Sequence, residues 1–300
     1  MRDAFAQPQD ESAAEAGVGK VDRNVVYGMY SGLALVMDVY HAEKPNGFGA
    51  VFIEGSGWSS SPEYAARQLK SGTEQWSALA LPLIRAGYTL FAINHRAAPR
   101  FHSPAQIEDA QRAVRFVRFH ARQYGINPAR IGAVGYSSGA HLSMLLGLLD
   151  GAGNPDDRDP VQRVSARVQC VIGGGTPSDL EHVGNNPAAL ALLSAFLGET
   201  VPADPPEGSA IYRKLELVSP MHFVKPGDPP ILLIHGDSDE LVPYEASLAF
   251  QAKLQAAHVP VKLITVKGGT HNSVVQLQSD EYAGAIVQWM DENLRRGTTH

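Results

Sequence analysis

A serine hydroxyl attacks a carbonyl at neutral pH only when a neighbouring base takes its proton. Among the 300 residues of this chain, Ser137 has the setting that such chemistry requires. It stands in Gly135-Tyr136-Ser137-Ser138-Gly139, between the apolar run Ile131–Val134 and the apolar stretch Ala140–Leu149. Strand, G-x-S-x-G, helix is the order in which this pattern forms a sharp turn that lifts the serine above a sheet. The glycines let the backbone pass where a Cβ would collide. The helix that follows aims unpaired N–H groups and a partial positive charge at the same point. A G-x-S-x-G turn can also merely link two buried elements in a chain with 29 glycines. The strand before it and the helix after it favour the chemical reading.

Eleven histidines could supply the base. His271 follows the expected strand Val261–Val266 in the small-residue loop Lys267-Gly268-Gly269-Thr270. Loops beyond the C-terminal ends of strands are where functional groups gather in open α/β sheets. His141, four residues after Ser137, points along a helix into packing. His235 ends the run Ile231–Ile234 and supports the turn after it. His102, His120, His222 and His258 have no comparable setting. The base in turn needs a carboxylate to fix its tautomer. Asp237, Asp239 and Glu240 all lie in the loop after Ile231–Ile234; Asp239 is favoured and Asp237 is the alternative. An oxyanion would be held by the Ser138 N–H and by the loop Gly55-Ser56-Gly57, where backbone must approach a substrate closely. Ser56 and Gly57 are the donors expected there. Trp58 and Tyr136 are expected to wall the pocket.

The elements that must position these residues alternate. Strands are expected at Val25–Tyr27, Leu33–Tyr40, Ala50–Ile53, Thr89–Ile93, Val168–Ile172, Ile231–Ile234 and Val261–Val266. Helices are expected over Trp76–Ala86, Ala188–Leu197 and Tyr244–Ala257, and from Ser279 to Gly297. A further helix begins with Ser103 as N-cap and Pro104 in the first turn. Its Ile107, Ala110, Val114, Val117, Ala121 and Tyr124 recur at spacings of three and four, and Gly125 ends it. The arginines on that helix, Arg112, Arg115, Arg118 and Arg122, read as a solvated outer face. Strands alternating with helices predict an α/β fold, a mostly parallel central sheet with helices on both faces. Residues 177–230 break the pattern and read as an excursion forming a lid or pocket wall.

Composition narrows the function. A net charge of -6 and a pI near 6.0 argue against a nucleic-acid or anionic-membrane surface. No run approaches the roughly 18 apolar residues of a membrane span. The single cysteine, Cys170, excludes an intramolecular disulfide and any multi-cysteine metal site, and it reads as a buried strand residue. The first twenty residues are polar and without periodicity, so they read as a disordered lead-in. They contain no apolar signal region, although Ala4-Phe5-Ala6 before Gln7 resembles the small-x-small end of one. Residues 21–300 are expected to form one domain.

Taken together, these segments resemble the esterase/lipase branch of the α/β-hydrolases, which holds the hormone-sensitive-lipase-like esterases, feruloyl and acetyl-xylan esterase-like enzymes and kynurenine formamidase. Asn94-His95-Arg96-Ala97-Ala98-Pro99 is similar to that branch's Y-R-L-A-P segment. Asp109 and Tyr124–Ile131 resemble the approach to its elbow. His235–Pro243 resembles its H-G-x-x-D-x-x-V-P loop, whose second aspartate is the triad acid, and this supports Asp239. The chain order Ser137, Asp239, His271 is that of the α/β-hydrolase triad. One departure is the oxyanion loop. It is usually H-G-G-G-W, and here it is Glu54-Gly55-Ser56-Gly57-Trp58.

The resemblance implies a serine carboxylesterase acting on small-molecule esters of short acyl chains, acetyl esters of carbohydrates among them, with no metal or organic cofactor. An arylformamidase or a serine peptidase would share the machinery. A non-catalytic binding protein of the same fold is disfavoured because all three triad positions are filled.

Overall fold

The computed structural model describes residues 17–59, 74–272 and 280–295. Its centre is an eight-stranded sheet in the order β1-β2-β4-β3-β5-β6-β7-β8. β1 (Val18–Tyr30) and β2 (Leu33–Ala42) form an antiparallel hairpin, and β2 pairs antiparallel with β4 (Thr89–Ile93). The remaining pairings are parallel, through β3 (Gly49–Ile53), β5 (Ile131–Tyr136), β6 (Cys170–Gly174), β7 (Ile231–Gly236) and β8 (Val261–Val266). Ser31 and Gly32, both at positive φ, make the tight hairpin turn between the first two strands. β1 starts at Val18, so Val18–Lys20, expected in the lead-in, are strand residues paired with the end of β2. Residues 1–16 lie outside the described part.

Strand side chains alternate between faces, and both faces are buried. On β3, Val51 and Ile53 join one core with Val114, Leu142 and Phe250. Ala50 and Phe52 join the other with Trp76, Leu83 and Ile286. Helices α2 (Ala105–Phe119), α3 (Ser138–Leu148) and α6 (Tyr244–Ala256) cover the first face. α1 (Leu81–Arg85), the π turn Trp76–Ala80 before it, and α7 (Asp280–Arg295) cover the second. Ile286, Met290 and Leu294 bury the inner stripe of α7, as their spacing requires. The expected helix limits Ser279 and Gly297 fall outside the described residues.

Three local expectations are corrected. Ser103 is not a cap: Pro104 precedes α2, and the Ser103 N–H instead donates to Phe196 O at 2.8 Å. The helix stops at Phe119, and Ala121 and Tyr124 remain buried in the turns beyond it. Nor are its arginines simply solvated. Arg112 reaches Tyr27 O (2.9 Å) and Asp159, Arg115 reaches Val164 O (3.2 Å), and Arg118 reaches Pro128 O (2.9 Å) and Arg167 O (2.7 Å). A guanidinium carries five donors in a rigid fork, which suits it to gathering loop carbonyls. Burial, with Arg115 nearby, pushes the Arg118 guanidinium down to about 10. Arg122 alone of the four is exposed.

Between β6 and β7 the chain leaves the sheet. α4 (Pro187–Leu197) is capped by Asn186, whose side chain accepts from the Ala188 and Ala189 N–H groups, and it ends at Gly198 in the left-handed region. α5 (Ala210–Glu216), not expected from the sequence, is capped by Ser209 and buries only Leu215. No helix among the described residues is long and apolar enough to cross a membrane.

Candidate active site

Three strand ends build the site. Ser137 joins β5 to α3 with φ 50° and ψ −124°, a conformation that L-residues rarely hold without support. Support comes from both sides: its N–H donates to Gly174 O (2.8 Å), and its carbonyl accepts from His141 N (3.0 Å). A Cβ on Gly139 would lie 2.0 Å from Ile53 O, and one on Gly135 would lie 2.4 Å from the Gly139 carbonyl. The pattern's glycines are therefore demanded by close packing of backbone on backbone.

His271, after β8, points its Nε2 at Ser137 Oγ (3.1 Å) and its Nδ1 at Asp239 Oδ2 (2.8 Å). The Asp239 side chain has no exposure, and His271 is buried. Burial alone would raise the Asp239 carboxyl. Hydrogen bonds from His235 and His271, the charge of His271 and the Val242 N–H overcome it and hold the group far below the usual carboxylate range. Asp237 does different work. Its Oδ1 accepts from Gly268 N (2.6 Å), tying together the loops after β7 and β8. The His271 backbone is held from two directions, its N–H on Glu240 Oε2 (3.3 Å) and its carbonyl on the Tyr136 hydroxyl.

Tyr136 is thereby corrected as a pocket wall. It is 1% exposed and lies beneath His271, where burial and then the charges of Asp239 and Glu240 push its phenol well up. Its hydroxyl is spent on the His271 carbonyl, and its ring does not line the cavity beside Ser137. Ser56 also differs from expectation. Its N–H donates to Ser138 Oγ at 2.9 Å and is already engaged. Gly57 lines the cavity beside Ser137, and Ser138 begins α3. Gln75 clamps the loop, accepting from Gly55 N (2.7 Å) and donating to Gly55 O (3.2 Å).

Trp58 does line the cavity beside Ser137, which has a volume of about 40 Å³. The rest of its wall is largely apolar: Leu180 and Val183 from the loop after β6, Leu192 and Leu193 from α4, and Leu241 and Val242 from the loop after β7. Asp179 is the charged residue on that wall. Phe196 of α4 stacks on Trp58 at 4.5 Å, and the Trp58 indole N–H donates to His141 Nδ1 (3.1 Å). Burial pushes the His141 imidazole down to about 4, partly offset by its bond to Val218 O, so it is neutral and structural.

Among the described residues, one other group of side chains converges. Ligand atoms of Glu181, Glu216 and His222 lie within 4.8 Å of one another. Glu181 already satisfies both oxygens, one on His222 and one on the Ser219 hydroxyl. Cys170 is buried in β6, and burial pushes its thiol far up, which makes it a poor nucleophile.

With this geometry in place, similarity to known proteins can be weighed. The BD-FAE family model matches residues 37–254, and a TAP-like protein model matches residues 214–299. Esterase LipQ of Mycobacterium tuberculosis is 30% identical over 176 residues, covering 58% of this chain and 40% of that protein. The chain thus spans well under two thirds of the length of this curated relative. A truncated carbohydrate esterase from gut microbiota superimposes with a TM-score of 0.77 at 27% identity, covering 94% of this chain and 99% of that one. An acetyl ester-xyloside bifunctional hydrolase from Caldicellulosiruptor lactoaceticus gives a TM-score of 0.74 at 24% identity, over 90% and 95% of the two chains, and attests the shared fold.

Proposed function

The chain belongs to the BD-FAE family of α/β-hydrolase serine esterases, and from that premise we propose that it hydrolyses short-chain carboxylic esters, acetyl esters of carbohydrates in particular, through a Ser137–His271–Asp239 triad. The observation that carries this reading is the unbroken chain of hydrogen bonds from Asp239 through His271 to Ser137 Oγ. His271 takes the Ser137 proton as the hydroxyl adds to the ester carbonyl. The oxyanion settles against the Gly57 and Ser138 N–H groups at the start of α3, aided by the helix dipole. His271 then protonates the departing alcohol, and water repeats the sequence on the acyl-enzyme. Asp239 keeps His271 in the tautomer with its proton on Nδ1. Residues 21–300 act as one catalytic unit, with 177–230 as its roof.

Two observations support the substrate class. The cavity beside Ser137 is small and capped by Leu192 and Leu193, which favours acyl groups from acetyl to about hexanoyl. The gut carbohydrate esterase is matched over nearly its whole length. The test is kcat/KM on p-nitrophenyl esters from acetate to palmitate, beside acetylated xylosides, with Ser137→Ala as control. Acetate to hexanoate should lead, acetylated xylosides should be cleaved, and Ser137→Ala should lose on the order of 10⁶ in kcat while staying folded. A maximum at decanoate or longer would refute the small acyl pocket.

A further inference from the structure

The Asp239 carboxylate has two oxygens and receives four donors. Oδ1 accepts from Leu241 N (2.9 Å) and Val242 N (2.8 Å). Oδ2 accepts from His271 Nδ1 (2.8 Å) and from a second imidazole, His235 Nε2 (3.0 Å). An ionised carboxylate offers about four lone-pair sites, so all are occupied and the group has one orientation. His235 is itself fixed. It has no exposure, its Nε2 also faces Val242 O (3.1 Å), and its Nδ1 meets Ser247 Oγ of α6 at 2.6 Å. Val242 O and the ionised carboxylate can only accept, so Nε2 carries a proton and shares it between the two. The edge of the Tyr244 ring closes the other side, with centroids 5.7 Å apart.

We propose that His235 is a positioning residue acting through Asp239, and that Ser247 holds its ring, so that the functional chain runs Ser247–His235–Asp239–His271–Ser137. The inference rests on the triad reading above. The two backbone N–H groups grip Oδ1 alone, so without His235 the remaining hold on Oδ2 is His271, the very ring that the carboxylate must orient. His235 supplies the second grip, on the oxygen that faces His271. Without it, Oδ2 would satisfy its free lone pair by rotating toward another donor or by admitting water. His271 would then lose the in-plane acceptor that aims its Nε2 at Ser137. Such a loss acts on the chemical step and leaves the cavity wall untouched, so it appears in kcat rather than KM.

The experiment is a double-mutant cycle on p-nitrophenyl acetate with His235→Phe, Ser247→Ala, Asp239→Asn and the two pairs that include Asp239→Asn, each checked for folding by its thermal midpoint. His235→Phe should lower kcat about 10- to 100-fold, by analogy with the loss of partners that orient metal-ligating histidines and carboxylates, with KM changed by less than about threefold. Ser247→Ala should cost about 2- to 5-fold. In the Asp239→Asn background both effects should vanish, because no carboxylate remains to be positioned. A folded His235→Phe protein with wild-type kcat overturns the proposal. So does a loss of the same size in both backgrounds, which would mark a packing role. Should His235→Phe not fold, the Ser247→Ala cycle decides by the same criterion. If Asp239→Asn alone keeps full activity, the triad reading has failed, an outcome separate from failure of His235.

Discussion

The elbow at Ser137 and the roof over it are built by opposite means. At the elbow, backbone packs on backbone. Gly139 rides against the carbonyl of Ile53, and the Ser137 N–H is held by Gly174 O. The roof is held by side chains: Phe196 stacked on Trp58, and Leu193 buried beside it. The Phe196 carbonyl of α4 accepts from the Ser103 N–H, and the Asn186 side chain reaches across to donate to Glu240 O (2.7 Å). Backbone packing admits almost no substitution, whereas apolar side-chain packing tolerates many of similar volume. Chemistry is thereby fixed in the elbow, while pocket shape is left adjustable in the roof.

Changing one side chain in each region tests this contrast. Gly139→Ala would set its Cβ 2.0 Å from Ile53 O, a backbone atom that cannot rotate away. The variant should lose at least about 3 kcal/mol of stability, and esterase activity should be abolished. Adding a methyl is the crueller change here. Leu192→Ala, which removes several carbons from the partly exposed lining of the cavity, should stay folded and active. Chemical denaturation and p-nitrophenyl acetate turnover measure both. If Gly139→Ala folds and turns over normally, the elbow is looser than this account allows.

The same contrast explains what could be seen in the sequence. Ser137, Asp239 and His271 were legible because each ends or follows an apolar strand in a loop of fixed chemistry, so spacing reports position. Thr89–Ile93 and Val261–Val266 match β4 and β8 residue for residue, the first a fully buried run and the second a β-branched segment with Lys262 and Thr265 exposed. Tyr136 adjoins Ser137 in sequence and not in the cavity, because it ends β5 with its side chain buried beneath His271 while Ser137 begins the turn. The engagement of Ser56 depends on one hydroxyl, that of Ser138, eighty-two positions away. α5 is seven residues long in a Pro- and Glu-rich stretch, and its only sign was the Ser209 cap. The arginines of α2 looked solvated because periodicity identifies an outer face and says nothing of a loop lying over it.

Within the catalytic loops, the next largest effect separates two aspartates two residues apart. Asp239→Asn removes the carboxylate that faces His271 and should lower kcat on the order of 10⁴. Asp237→Asn loosens only the bond to Gly268 N and should cost less than about tenfold. A reversal of that order would move the acid to Asp237 and remove the basis for His235. Smaller again is the change expected in the roof. Leu192→Ala enlarges the cavity beside Gly57, where Leu192 Cδ2 would sit 2.5 Å from an added Cβ. The preferred acyl length should shift upward by about two to four carbons, with kcat/KM for acetate falling by no more than about tenfold. An unchanged chain-length profile would show that α4 does not set the pocket.

A last effect, on stability and not on turnover, lies where elbow and roof meet, at His141. The ring is the first-turn residue of α3 that touches both regions: Nδ1 accepts from Trp58 Nε1, and Nε2 donates to Val218 O (2.7 Å). That pattern requires the neutral ring, because protonation would turn Nδ1 into a second donor facing a donor. Burial, the larger cause, pushes the group down to about 4, against roughly 6.5 in an unfolded chain. As pH falls from about 6.5 to about 4, the unfolded chain therefore binds the proton that the folded one refuses. Unfolding free energy falls with pH through that window by at most about 1.4 kcal/mol per unit, reaching about 3 kcal/mol. Asp239, held low, gives a loss of the same direction only below about pH 4, as it is protonated in the unfolded chain first, so the two windows separate. His141→Gln offers an amide oxygen to Trp58 and an N–H to Val218 O without titrating. Its thermal midpoint should be nearly flat from pH 6.5 to 4.5 where the parent protein declines. Parallel declines in the two proteins would place the acid sensitivity elsewhere than in the contact that binds roof to elbow.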